Sequence, residues 1–193
     1  GDRILVLEDA SELQLQQRHC VYFETRKPDK NGEGEFSIRD LVIASLRMRP
    51  DRLVIGEIRG GEALDLLQAM NTGHSGSMST IHANSPVDAL RRMETCAILS
   101  GVELPLNAVR MQVASAINCI VHTMRLPDGS RKIVDISEVL PLKDGEYRTS
   151  PLLKWNTRSI AQDGSVSGDF SLCNKPSFAE DATIMGIELP KYE

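Results

Sequence analysis

The stretch Arg52-Leu-Val-Ile-Gly-Glu-Ile-Arg-Gly-Gly-Glu-Ala63 decides the reading of this chain, together with Thr72-Gly-His-Ser-Gly-Ser-Met-Ser-Thr-Ile-His-Ala-Asn84 just beyond it. Leu53-Val54-Ile55 is short, wholly apolar and mostly β-branched, the pattern of a strand buried on both faces of a parallel sheet. Glu57 follows its carboxyl end, and that edge of an open α/β sheet is where ligands bind. Ala63, Leu66, Leu67 and Met70 recur at helical spacing and predict an amphipathic helix, which Thr72-Gly73 ends. A second, weakly apolar segment then delivers His82. This order predicts that Glu57, His74 and His82 converge on one edge of one sheet.

Working outward, Ile4-Leu-Val-Leu7 is a second buried-strand run that also ends in acid, at Glu8, Asp9 and then Glu12. Parallel strands ending in carboxylates suit a Mg²⁺–nucleotide site, because this hard ion is held through a few carboxylates, waters and phosphate oxygens. Taken alone, the same acids also read as solvated residues of an ordinary loop. Val21 to Thr25 has strand character, and Lys27 to Glu35 is a polar loop rich in turn formers. Ser37 with Asp40 forms a short capping box before a helix whose stripe is Ile38, Leu41, Val42 and Leu46. Arg47 and Arg49 close that helix and admit two readings. Cations there complement the helix dipole, and their guanidinium forks also fit nucleotide phosphate, their own or a neighbour's. Arg18 is a further candidate of this kind.

The motifs resemble those of a known family. Gly56-Glu57-x-Arg59-x-x-Glu62 resembles the Walker B motif of the type II/type IV secretion ATPases. Thr72-Gly73-His74-x-Gly76 with Thr80-x-His82-Ala83 resembles their His box, and Val6-Leu7-Glu8-Asp9-x-x-Glu12 their Asp box. Leu46 to Asp51, Gly60 to Ala63 and Leu67 to Thr72 are most similar to the branch that assembles tight-adherence (Flp) pili. The resemblance covers residues 3–140. It implies an α/β fold: part of a RecA-like P-loop NTPase core over residues 1–125, then a hairpin and a small β-rich appendage over 126–193. The implied cofactors are ATP and Mg²⁺. The family gives Glu12 the role of polarising the attacking water, and Glu57 that of reaching Mg²⁺ through water. His74 and His82 act as γ-phosphate sensors, and Glu8, Asp9, Arg47, Arg49 and Arg59 as nucleotide-site residues. Arg59 and Glu62 alternatively form a structural ion pair. The implied assembly is a homo-hexameric ring, cytoplasmic and peripheral at the inner membrane, working on a secretion or pilus platform protein.

Composition agrees with a soluble globular chain: 41% hydrophobic and 25% charged residues, with a formal net charge of −5. The acidic balance gives no basic footprint for nucleic acid, so direct nucleic-acid binding is not expected. No apolar run approaches the roughly 18 residues of a membrane-spanning helix. The cysteines Cys20, Cys96, Cys119 and Cys173 are scattered, and the four histidines lack zinc-site spacing.

Downstream, Ser85-Pro86-x-Asp88 starts a helix that runs to Ser100-Gly101. Leu106, Val109, Val113, Ala116 and Ile117 stripe another. Ile120 to Arg125 and Lys132 to Ile136 read as strands joined by a Pro127–Ser130 turn, with His122 facing a neighbouring strand. Beyond Val139 the pattern weakens to short strands at Leu152–Trp155 and Val166–Phe170, and a closing helix from Phe178 to Met185 capped by Gly186. No residue of this tail suggests chemistry.

The 193 residues contain no G-x-x-x-x-G-K-[ST] loop to cradle phosphates. In the family this loop lies upstream of the Asp box. The expectation is therefore the C-terminal part of a motor, inactive alone. The alternative is a non-hydrolysing scaffold or regulatory subunit of a secretion ring. A RecA-like DNA motor is disfavoured by the charge balance.

Overall fold

The computed structural model describes residues 1–190. They pack as two compact units, residues 1–84 with 88–117, and residues from Asn118 onward with 85–87.

In the first unit, β1 (Ile4–Glu8), β2 (Cys20–Glu24), β3 (Arg52–Ile55) and β4 (Met78–Ser79) form one sheet in the order β2-β1-β3-β4, every pair parallel. β1 is central, with Val6 opposite Tyr22 on one side and Val54 on the other, and all five of its residues are buried. On one face Leu5 and Leu53 pack with Ala69, Phe23, Leu46 and Met48. On the other, Ile4, Val6 and Val54 pack with Leu13 and Leu15 of the irregular segment joining β1 to β2. Each fully buried leucine contributes about 2 kcal/mol of apolar burial.

The helices are α1 (Ile38–Leu46), α2 (Glu62–Asn71), α3 (Pro86–Ile98) and α4 (Leu106–Ala116). The expected capping box opens α1: the Ser37 hydroxyl accepts from the Asp40 amide at 3.2 Å, and Asp40 Oδ2 accepts from the Ser37 amide at 2.9 Å. The Ser37 hydroxyl also donates to Asp40 Oδ2 at 2.6 Å, and this bond, followed by the one from the Ser37 amide, holds the Asp40 carboxyl below its usual pKa. Ile38 and Val42 are buried, with Leu41 and Leu46 half-buried beside them. Ala63, Leu66 and Leu67 face the core as predicted, and Leu64 and Ala69 join them. Arg39 binds the first unit's helices together, donating to Asp65 Oδ2 at 2.8 Å and to the Ser100 carbonyl at 3.0 Å. Gly61 makes this possible: a Cβ there would fall 2.6 Å from the Ser100 Cα. Two expected stripe residues differ: Leu106 is 45% exposed and Ile117 is the C-cap just past the helix, so Val109, Val113 and Ala116 carry the buried face of α4.

The second unit is an antiparallel sheet of β5 (Cys119–Arg125), β6 (Arg131–Lys143), β7 (Glu146–Ile160) and β8 (Val166–Leu172), in that order. The predicted turn joins β5 to β6, with Asp128 Oδ1 accepting from the Ser130 amide at 2.9 Å. His122 lies opposite Asp135. Because β5 pairs with β6, residues from Asn118 onward belong to this unit. β6 and β7 run much longer than expected, meeting at Asp144-Gly145, where both φ angles are positive (54° and 78°). That is the two-residue hairpin turn whose twist matches the strands. α5 (Ala179–Ile184) ends as predicted at Gly186, φ 73°, with the Ile187 amide reaching back to the Ala182 carbonyl. Buried Glu138 accepts from the Ser177 amide at 3.0 Å and from its hydroxyl, anchoring the approach to α5.

Candidate active site

Strand ends place the acids. β1 ends in Glu8 and β3 is followed at once by Gly56-Glu57, so both lie at the carboxyl edge of the parallel sheet. The Gly56 amide donates to the Leu7 carbonyl at 2.8 Å, and a Cβ on Gly56 would press on Glu8 Cγ at 3.1 Å. Glycine therefore lets the two acidic strand ends approach. The segment after β4 ties down the next residues: the Thr80 hydroxyl donates to the Gly56 carbonyl at 2.5 Å, and the Ile58 amide to the Thr80 carbonyl at 2.9 Å. Ile58 is fully buried beneath them. Glu57 thus projects from a fixed backbone.

Around it lies a chain of charges. Glu57 Oε2 accepts from Arg59 Nε at 2.7 Å and Nη2 at 2.5 Å, a forked pair, while Oε1 lies 3.2 Å from His82 Nε2. Arg59 Nη1 extends to Asp9 Oδ2 at 3.5 Å, and Asp9 is held by the Thr25 hydroxyl at 3.2 Å. The Arg59 hydrogen bond, reinforced by the charges of Arg59, His82 and Arg92 and opposed by burial, holds the Glu57 carboxyl below its usual pKa. The same hydrogen bond raises that of Arg59. Glu62 does not pair with the Arg59 guanidinium. Its Oε1 accepts from the Arg59 and Gly60 amides at 2.7 and 2.8 Å, so it fixes the turn that leads into α2.

Glu8 is 5% exposed, and its Oε1 accepts from the Glu12 and Leu13 amides at 3.2 and 3.1 Å. It organises the loop that carries Glu12, whose own side chain is exposed. The carboxyl edge therefore gathers Glu8, Asp9, Glu57, Arg59 and His82, with Glu12 on the adjoining loop.

Three expected residues lie elsewhere. In a parallel sheet each helix must run back to the amino edge before the next strand. α1 does so, which leaves Arg47 and Arg49 exposed at that edge, Arg49 at φ 53°. α2 does the same, so His74, between α2 and β4, also sits at the amino edge and not beside Glu57. Its surroundings are structural. The His74 carbonyl accepts from the Ser77 hydroxyl at 2.8 Å, and that hydroxyl accepts from the Leu53 amide at 3.0 Å. Arg52 donates to the Gly76 carbonyl at 3.2 Å and to Asp2 at 2.6 Å. Gly76 has φ 82°, and a side chain there would strike the Arg52 guanidinium. The expectation that both histidines meet Glu57 thus holds for His82 alone.

A cleft of about 450 Å³ opens beside this edge, lined by Arg59, His82, Asn84, Arg91, Arg92 and Thr95 among others. Arg91 and Arg92 escaped the sequence reading. The signal was present: Leu90 and Met93 fix the buried face of α3, which turns the intervening arginines outward.

Residues 1–153 match the family described as Type II/IV secretion system protein. The chain is 38% identical over 169 residues to the putative conjugal transfer protein Rv3659c of Mycobacterium tuberculosis, covering 87% of this chain and 47% of that protein. It is 36% identical over 146 residues to the probable conjugal transfer protein TrbB of Sinorhizobium fredii, covering 76% of this chain and 41% of the relative. The chain thus spans less than half the length of these curated relatives. Among solved structures, the VirB11 ATPase of the Brucella suis type IV secretion system, in complex with sulphate, superposes with a TM-score of 0.61 at 27% identity, over 71% of this chain and 40% of that one. With its parallel sheet, its acidic strand ends and these matches, the chain belongs to the type II/IV secretion ATPase family.

Proposed function

We propose that this chain is the C-terminal part of the ATPase core of a secretion or pilus-assembly motor. The observation that carries the reading is Glu57, fixed at the carboxyl edge with its oxygens turned toward Arg59 and His82. Supporting it are the Asp-box acids on the next strand end and the family membership. The motif-level likeness is to the tight-adherence branch and the reported relatives are conjugal transfer proteins, so the reading spans pilus assembly and secretion alike. We place the intact protein in a homo-oligomeric ring on the cytoplasmic face of the bacterial inner membrane, acting on a platform protein there. Among the described residues no helix is long and apolar enough to cross a membrane.

The donor set fits Mg²⁺. No group of three or more His, Cys, Asp and Glu side chains forms a metal cage among the described residues. Mg²⁺ needs none, since it keeps waters and takes one or two carboxylates plus substrate phosphates. Glu57 would hold it through water, and the ion would supply neutralisation of phosphate charge. The reaction is in-line attack of water on the γ-phosphorus of ATP. A P–O bond to the water oxygen forms, the bond to the β-bridging oxygen breaks, and ADP leaves with its electron pair. Glu12 orients the water and accepts its proton, which then passes to solvent. To His82, 82% exposed at the same edge, we assign the registering of the γ-phosphate. Asp9 and Arg59 position Glu57, and Glu8 holds the Glu12 loop. Turnover also needs a glycine–lysine loop to cradle the nucleotide, which these residues lack.

Mg²⁺-dependent ATPase assays test this on the 193-residue chain and on the protein carrying the glycine–lysine loop. Turnover is expected only in the latter, and Glu57→Gln should lower it there about 100-fold, as expected when an electrostatic catalytic group is removed. Robust hydrolysis by the chain alone would sink the reading as a partial core. Undiminished turnover in Glu57→Gln would sink the assignment of Glu57.

A further inference from the structure

The cleft beside the carboxyl edge is basic on an acidic chain. The chain as a whole carries −5, yet the cleft lining brings three arginines, Arg59, Arg91 and Arg92, against a single acid, Asp88, a formal +2 with His82 neutral. Asp88 is engaged by Arg91 at 3.6 Å. A basic concavity on an acidic protein concentrates anions. Its volume of about 450 Å³ suits a small ligand and not a macromolecule. Three guanidinium forks, two on α3 and one on the β3–α2 segment, call for an anion with several oxygens spread over several atoms. A single carboxylate cannot use them all, whereas a chain of linked phosphates can.

The cleft also shares two residues with Glu57. Arg59 and His82, both on its lining, occupy the two oxygens of that carboxylate. Their side chains are 65% and 82% exposed, while that of Glu57 is 17% exposed, so the cations are the movable partners and the carboxylate is the fixed one. Arg92, on α3, lines the same cleft, and its charge helps to hold the Glu57 carboxyl below its usual pKa.

We propose that this cleft is an oligophosphate-binding site anchored by Arg91 and Arg92, and that a phosphate chain entering it takes Arg59 and His82 from Glu57, leaving the carboxylate uncovered. The inference rests on the motor reading for its natural ligand, the triphosphate of a nucleotide, but not for its geometry. It makes α3 a contributor to phosphate binding, a role that no motif of the sequence marks. It also makes Glu57 available for water or metal only after phosphate has arrived.

Calorimetric titration of the 193-residue chain with inorganic tripolyphosphate in EDTA tests it without metal, base or turnover. Saturable one-site binding is expected. Arg92→Gln should weaken it about 10-fold, the usual scale for one charge-assisted hydrogen bond. Glu57→Gln should tighten it several-fold, because the competitor for Arg59 and His82 is gone. Lys175→Gln, a charge removed in the second unit, should leave it unchanged. On the unmodified chain, the Arg59 and Arg92 Nε–H resonances should shift together with occupancy, which needs no variant to fold. Absence of saturable binding, indifference to Arg92→Gln, or weaker binding in Glu57→Gln would each overturn the proposal. None of these would touch the Glu57 dependence of Mg²⁺-ATP hydrolysis in the loop-bearing protein. Loss of that dependence with tripolyphosphate binding intact would overturn the motor reading instead.

Discussion

The two edges of the parallel sheet are built from the same residue types and arranged to opposite ends. The amino edge holds Asp2, Arg3, Arg52 and His74, and the carboxyl edge Asp9, Glu57, Arg59 and His82. At the amino edge the polar groups largely bond the backbone: the Arg3 amide to Asp51 at 2.6 Å, Arg52 to the Gly76 carbonyl, Ser77 to the His74 carbonyl. They close a fold. At the carboxyl edge the side chains bond one another, on a backbone already fixed by Gly56, Ile58 and Thr80. Such charges can exchange partners without unfolding anything. An arginine and a histidine near an acid are therefore not evidence of a site until topology says which edge they occupy and what holds the chain beneath them.

That contrast can be broken by experiment. The largest effect is expected in the loop-bearing protein, where His82→Asn should cost about 100-fold in ATP turnover, on the scale of a lost transition-state hydrogen bond. His74→Asn should cost at most a few-fold, with its main effect on the unfolding midpoint. Equal losses in turnover would erase the distinction between the edges. Next in size, Gly76→Ala should destabilise the chain by about 2 kcal/mol in urea unfolding, since it forces a left-handed alanine onto the Arg52 guanidinium. Glu57→Gln, by contrast, should leave the midpoint nearly unchanged. A Glu57→Gln midpoint shift as large as that of Gly76→Ala would show that the carboxyl edge is also structural.

The smallest effect is a pH dependence at the amino edge. Hydrogen bonding to Arg52, and then its charge, lower the Asp2 pKa. The folded state thus favours the ionised form, and the stability gained is fully present above the usual aspartate pKa of about 3.9. It is lost as pH falls through the lower folded value. The stability difference between wild type and Asp2→Asn should accordingly be flat from neutrality to about pH 5 and vanish in stronger acid. Because the pair is exposed, added salt should shrink it at every pH. A difference that grew on acidification would contradict the pairing.

Much of this was legible in the residues. The β-branched runs at Ile4 and Leu53, each followed by acid, predict parallel strands ending at one edge, and the Ser37–Asp40 box marks a helix start that the structure reproduces. Motif spacing does not say toward which edge a loop residue falls. Thr72-Gly73-His74 lies only a few residues before β4, and that strand's direction carries His82 to Glu57 while leaving His74 behind. The long β6–β7 hairpin was hidden for another reason. Pro141 and Pro151 interrupt its strands, and proline normally ends a strand reading. Both sit at irregularities in the β6–β7 register, where a missing amide is tolerated. Arg92 was overlooked because an arginine on the polar face of a helix is ordinary, and only the fold shows the cleft it lines.

The register of β1 bears on how the chain comes together in time. Ile4 pairs with Cys20 and with Arg52, separations of 16 and 48 residues (20 − 4 and 52 − 4). β6 meets β7 across two residues. Hairpins of that kind close within about 1–10 μs, whereas non-local parallel pairing waits on the entropy of a long loop. The antiparallel sheet is thus the fast-forming half and the parallel sheet the slow one. During synthesis β1 emerges before the strands that flank it, so Leu5, Val6 and Leu7 wait for β2 and β3 to complete their sheet. A nascent chain halted before Ile55 would present these side chains to chaperones, and one halted after Asn84 would not.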